Sequence, residues 1–316
     1  MPSTASSHWF RLASAAAIVL LLVPHGGGCG KKKTGLTIKQ RLEKAEKETT
    51  PERQAAAFLK IAKLQAAQNQ RDAAKETAGR AFERLKAEGD ANLIAPRLVE
   101  CGAALAELGD RKAARESLAL AIERADGIED PVRKTQLLAD AGAVYGDQTK
   151  GTGDSQAAKA ALKKAGEVAD GVEERFRAEA LAAVALGYTR SGLADAASDV
   201  VAKLLEAAKT LKEPRAKAEA LAAAANVQAR TGKNADATKL LADAEAAAKS
   251  VDRSESRAYA LLAVAMATSA NGDAKKAMAL LKDADKAADK VPEPASQKKI
   301  VDKVRGAIDE LSKKKS

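Results

Sequence analysis

The string LAAAANVQARTGKNADATKLLADA, residues 221–244, holds the pattern that decides the fold. Leu221 and Ala225 stand eleven and seven positions before Gly232, with Ala224 beside Ala225, and Ala237, Leu241 and Ala244 stand five, nine and twelve positions after it. Spacings of three and four place each set on one face of a helix. Gly232 lies between the two faces, where a residue free to turn left-handed ends one helix and lets the next begin. The segment reads as two amphipathic helices joined by a tight turn.

Working outward, the same turn-and-alanine pair occurs six times: Asn69/Ala74, Gly109/Ala114, Gly153/Ala158, Gly192/Ala197, Gly232/Ala237 and Gly272/Ala277. The turn residues are 40, 44, 39, 40 and 40 apart. The flanks repeat as well. Phe58, Leu98, Leu181, Leu221 and Leu261 lie eleven before the turn, Ile61, Cys101, Val184, Ala224 and Val264 eight before, and Ala62, Gly102, Ala185, Ala225 and Ala265 seven before. Leu118, Leu162, Val201, Leu241 and Leu281 lie nine after it. In Gly109-Asp110, Gly153-Asp154 and Gly272-Asp273 the aspartate is placed to cap the second helix. Glu129-Asp130-Pro131, Glu213-Pro214 and Pro292-Glu293-Pro294 are expected to stop that helix. Ile128, Val172, Leu211, Val251 and Val291, just before these stretches, are expected to seal the gap between neighbouring hairpins.

A large apolar residue, a small residue, a turn glycine and two further alanines at these offsets resemble the tetratricopeptide repeat. That resemblance implies an all-α, right-handed α-solenoid of about six stacked hairpins over residues 50–294, after an N-terminal helix at 36–49 and before a capping helix at 295–311. The period is near 40 rather than 34, which also fits a HEAT-like stack. In tetratricopeptide arrays the first helix of each hairpin lines a groove for a protein or peptide. The resemblance then places Leu186, Arg190, Asn226, Arg230, Tyr259 and Met266 in that groove. Arg190 and Arg230, each two residues before a turn glycine, could take acidic side chains. The family's carboxylate clamp is not matched, because Ala222 stands where its lysine would be.

Composition agrees with helix. Of 316 residues, 46% are hydrophobic but only 3% aromatic, which disfavours β architectures. Both histidines, His8 and His25, and the one tryptophan, Trp9, fall in the first 28 residues. Arg11, the apolar run Leu12 to Val23 and then Pro24 read as a signal peptide over residues 1–28, since twelve residues are too few for a transmembrane helix. Gly26, Gly27 and Gly28 before Cys29 resemble the lipobox of bacterial lipoproteins, implying lipidation of Cys29, although an ordinary secretory cleavage at the same glycines is the alternative. Residues 29–35, with Lys31, Lys32 and Lys33, would form a basic linker, and 312–316 a basic tail.

The chemistry-bearing residues point away from catalysis. Cys101 occupies a core position, and the segment Gly146 to Asp154 lacks the strand and the Lys-Ser/Thr pair of a phosphate loop, so it reads as an elongated turn. The formal charge of +10 is dispersed and not interleaved with aromatics, which argues against nucleic acid. The expectation is a non-enzymatic, exported, lipid-anchored scaffold of the bacterial cell envelope that binds a protein partner, with no metal, cofactor or small-molecule substrate. The alternative is a protein whose amphipathic helices lie on a membrane surface.

Overall fold

A computed structural model describes residues 36–313, and every regular element among them is helical. The α-helices run α1 (Ile38–Glu46), α2 (Pro51–Ala67), α3 (Arg71–Leu85), α4 (Ala91–Glu107), α5 (Arg111–Arg124), α6 (Pro131–Gly146), α7 (Ser155–Asp170), α8 (Glu174–Arg190), α9 (Ala194–Lys209), α10 (Pro214–Arg230), α11 (Asn234–Lys249), α12 (Ser254–Ala270), α13 (Ala274–Ala288) and α14 (Pro294–Lys313). A 3₁₀ turn, Ala125–Gly127, follows α5. The chain divides into two units, residues 1–161 and 162–316. In the first, α2 pairs with α3 and α4 with α5, while α4 also packs on α2 and α6. In the second, α8/α9, α10/α11 and α12/α13 are hairpins; α8, α10, α12 and α14 lie side by side, and each second helix touches the next first helix. Each unit is thus built as an α-solenoid, by one packing step repeated.

The turns explain the repeat. Among the described residues, positive φ occurs at Asn69 (60°) and at Gly109, Gly153, Gly192, Gly232 and Gly272, the six turn positions expected from the sequence. The amide after the turn donates to the carbonyl five residues earlier, as in Asp110 to Leu105 (2.8 Å), Leu193 to Tyr188 (2.9 Å) and Lys233 to Gln228 (2.8 Å), which closes the first helix. The carboxylates of Asp110, Asp154 and Asp273 accept from Ala113, Ala157 and Lys276 amides, opening the second.

Small residues set how close the helices come. Ala74, Ala114, Ala158, Ala197, Ala237 and Ala277 are all fully buried. So is a second column, Ala55, Ala95, Thr135, Ala178, Ala218 and Ala258, fourteen places before the turn in five hairpins and carried by Thr135 in the third. At Gly102 even a methyl group would lie 2.8 Å from Leu118 Cγ. Ile128, Val172, Val251 and Val291 are buried, whereas Leu211 is only half-buried.

The proline stretches act differently from expectation. Pro131, Pro214 and Pro294 are the first residues of α6, α10 and α14. Asp130 and Glu213 cap the amides behind the first two, and Glu293 accepts from Ala295 and Ser296 behind the third. They start helices rather than stop them, because proline lacks only an N–H that the first turn leaves unpaired anyway. The terminal helices have bounds Ile38–Glu46 and Pro294–Lys313; α14 buries Ile300, Val304 and Leu311 against α12 and α13.

Polar side chains stitch the repeats in two recurring places. Near the start of first helices, Gln54, Arg177, Arg257 and Gln297 donate to carbonyls at the end of the preceding helix: Glu48 (2.9 Å), Val172 (3.1 Å), Val251 (2.6 Å) and Asp289 (2.8 Å). Lys134 in the same place pairs with Asp126. Early in second helices, Lys75 and Arg115 pair with Asp110 and Asp154 of the next turn, and Ser198 and Thr238 accept from Lys233 and Asn271.

Candidate functional site: the first-helix face

In the second unit the first helices present equivalent residues in register. Leu186, Asn226 and Met266 lie six residues before their turns, and Arg190 and Arg230 two before, on the adjacent helices α8, α10 and α12. Four residues more than span a helical turn, so the two rows share a face. Ala182, Ala183, Ala222, Ala223 and Leu262 on these helices are buried and form its floor. Leu186 and Asn226 are half-buried, Met266 is 37% exposed, and both arginines are exposed. The Arg230 Nε donates to Asn226 Oδ1 at 2.7 Å, an i,i+4 bond that orients the guanidinium on the face. The structure therefore gathers five of the six expected groove residues on one surface of cationic and apolar character.

Tyr259 is the exception. It was expected to line the groove but is only 6% exposed. The Arg215 guanidinium lies 4.9 Å from its ring centre and the Lys303 ammonium 5.3 Å, so two cations cover an aromatic that the helix register alone would leave open. Arg215 also donates from Nε to Glu219 at 2.8 Å. Burial pushes the Glu219 carboxyl above its usual range, and Arg215 only partly restores it. This cluster joins α10, α12 and α14, and the sequence reading missed Arg215, Glu219 and Lys303. The available signal was the i,i+4 pair Arg215/Glu219 at a place where the next repeat has Glu255/Tyr259.

The remaining candidates behave as core or turn. Cys101 is buried, its thiol pushed up to about 12 by burial, and its Sγ donates to Ala78 carbonyl. In the segment Gly146 to Asp154, Gly146 ends α6 and residues 147–154 form an elongated connection to α7. Among the described residues there is no group of three or more His, Cys, Asp or Glu able to hold a metal ion, and no helix is long and apolar enough to cross a membrane. The expected signal segment, Cys29, Lys31, Lys32, Lys33, Lys314 and Lys315 lie outside the described residues.

Neither family models nor curated proteins match the chain. Among solved structures it is similar to the crystal structure of Ton1535 from Thermococcus onnurineus NA1, with 16% identity and a TM-score of 0.31 over 84% of this chain and 83% of that one.

Proposed function

We propose that this protein is a non-enzymatic helical-repeat scaffold, exported and held at the bacterial cell envelope by a lipidated Cys29, whose first-helix face binds an acidic segment of a partner protein. The observation that carries this reading is the repetition of an exposed arginine at one register, Arg190 and Arg230, beside half-open Leu186, Asn226 and Met266. Adjacent first helices are spaced by roughly 8–10 Å, about one three-residue turn of a polyproline-II peptide, so acidic side chains at every third position of such a peptide lie on one side and meet successive arginines. A face carried on packed helices needs little ordering to bind. The lipobox-like Gly26-Gly27-Gly28-Cys29 and the following lysines support the membrane address.

One experiment with two variants tests both halves. Binding of a fluorescent peptide with glutamate at every third position is measured by anisotropy, and incorporation of a labelled fatty acid is followed in cells. Arg190→Glu/Arg230→Glu should weaken the peptide at least about tenfold while leaving the lipid label intact. Cys29→Ser should lose the label and keep the peptide. Equal peptide affinity for the double variant removes the arginines from the reading, and a label retained by Cys29→Ser removes the anchor.

A further inference from the structure

The connection after α6 is longer than the other first-to-second helix turns, and its hydrogen bonds show where the extra residues enter. In ordinary turns the residue before the turn position donates to the carbonyl four back: Leu108 to Ala104 (3.1 Å), Ser191 to Gly187 (3.0 Å), Thr231 to Val227 (3.0 Å). In the long connection Thr152 makes that bond to Val144 (3.0 Å), and Asp154 makes the turn-closing bond to Tyr145 (2.7 Å). Thr152, Gly153 and Asp154 therefore take the places of Leu108, Gly109 and Asp110, and Asp147 takes the place of Glu107. Four residues, Gln148, Thr149, Lys150 and Gly151, are looped out of an otherwise intact frame. They leave the helix at the register held by Glu107 on α4 and by Arg190 and Arg230 in the second unit, on the first-helix face.

The excursion is tightly built. Asp147 Oδ1 accepts from the Thr149 amide (2.8 Å), the Thr149 hydroxyl (2.8 Å) and the Lys150 amide (2.9 Å), and the Gly151 amide returns to the Asp147 carbonyl at 3.1 Å. A Cβ at Gly151 would lie 2.0 Å from the Val144 carbonyl oxygen, so the loop lies directly on the last turn of α6. Exposure differs at like residues: Ala103 on α4 is half-buried, while Ala143, at the same register on α6, is 1% exposed. Burial pushes the half-buried Glu107 carboxyl above its usual range, opposed by the charges of Lys150 and of Lys63 on α2.

We propose that Gln148–Gly151 is a strap built into the first-helix face of the first unit: looped out of the frame and pinned by Asp147, it covers the last turn of α6. The strap keeps that part of the face self-occupied. Its role in excluding ligands rests on the first-helix face being the recognition surface, but the test below does not.

Deleting residues 148–151 should leave Asp147-Thr152-Gly153-Asp154, which has the frame of Glu107-Leu108-Gly109-Asp110. In a full chain carrying Cys29→Ser and Ala143→Cys, with Cys101 kept silent by burial, the deletion should leave the thermal midpoint essentially unchanged. Modification of the Ala143→Cys thiol by N-ethylmaleimide should become about tenfold faster or more, because the site no longer has to open before it reacts. An unchanged modification rate overturns the strap. So does a clear drop in the thermal midpoint, which would make the four residues part of the structural frame instead of an addition to it.

Discussion

At a single residue, the demands of backbone shape and of packing can be separated in this chain. Gly232 has φ of 80° and open space around a prospective Cβ, whereas Gly102 is helical and faces Leu118 at 2.8 Å. A side chain at position 232 therefore costs conformational energy alone, while one at 102 forces the hairpin apart. Asn69 performs the turn with φ of 60°, which shows that asparagine meets the requirement within this repeat. Gly232→Ala should lose about 1 kcal/mol and Gly232→Asn clearly less, measured by urea unfolding; equal losses would mean that the turn's handedness is not what the glycine supplies. The turn and alanine positions were legible in the sequence because each admits so few residue types. Tyr259 was not, since Arg215 and Lys303 that cover it lie on other helices, 44 residues away in either direction.

At the scale of the element, the bonds joining one hairpin to the next are conserved in position but not in chemistry. Gln54, Lys134, Arg177, Arg257 and Gln297 all reach back to the end of the preceding helix, yet as an amide, an ammonium and a guanidinium they share no letter for a sequence pattern to find. The prolines were visible but were read as stops, because sequence alone does not say whether Pro closes the element before it or opens the one after it. Between α11 and α13, Glu245 accepts from Lys249 at 2.5 Å and Lys276 at 2.8 Å, and these bonds hold its carboxyl below the ordinary 4.5. In acid the unfolded chain then binds the proton more readily at this site, so the Glu245 contribution is present above pH 4.5 and is lost as pH falls through its lowered value. Glu219, raised by burial, has the opposite sign: its contribution is complete below 4.5 and is lost as pH rises. The melting difference between the parent and Glu245→Gln should accordingly shrink as pH is lowered from about 7 to about 3. A difference that stays constant over that range would show that the Lys249–Glu245–Lys276 bridge does not tie the two helices together in solution.

At the scale of the molecule, a chain made by repeating one packing step distributes its stability over neighbours instead of concentrating it in one core. First helices start at Pro51, Ala91 and Pro131, then at Glu174, Pro214, Ser254 and Pro294, and within each series the step is 40 residues. The extra residues fall between these series, where the looped-out strap lies, so the interruption belongs to a connection and not to a helix. In the second unit each first helix rests on its own second helix and on the first helices beside it. Contacts of that kind are local in sequence, and local contacts do not need distant parts of the chain to form. The fragment 173–316, which keeps α8 to α14 with Glu173 before the first of them, should fold alone and melt in one cooperative transition followed by circular dichroism. Its midpoint should lie somewhat below that of the full chain, because the cut removes residues 162–172 of the second unit, among them buried Val172, whose carbonyl accepts from Arg177. Leu221→Asp in the fragment should abolish or sharply lower that transition, since α10 is the middle first helix of the three hairpins and an unpaired charge there costs several kcal/mol. A fragment that stays unfolded would mean that the second unit depends on contacts reaching beyond its own hairpins, and the nearest-neighbour account of this fold would have to be abandoned.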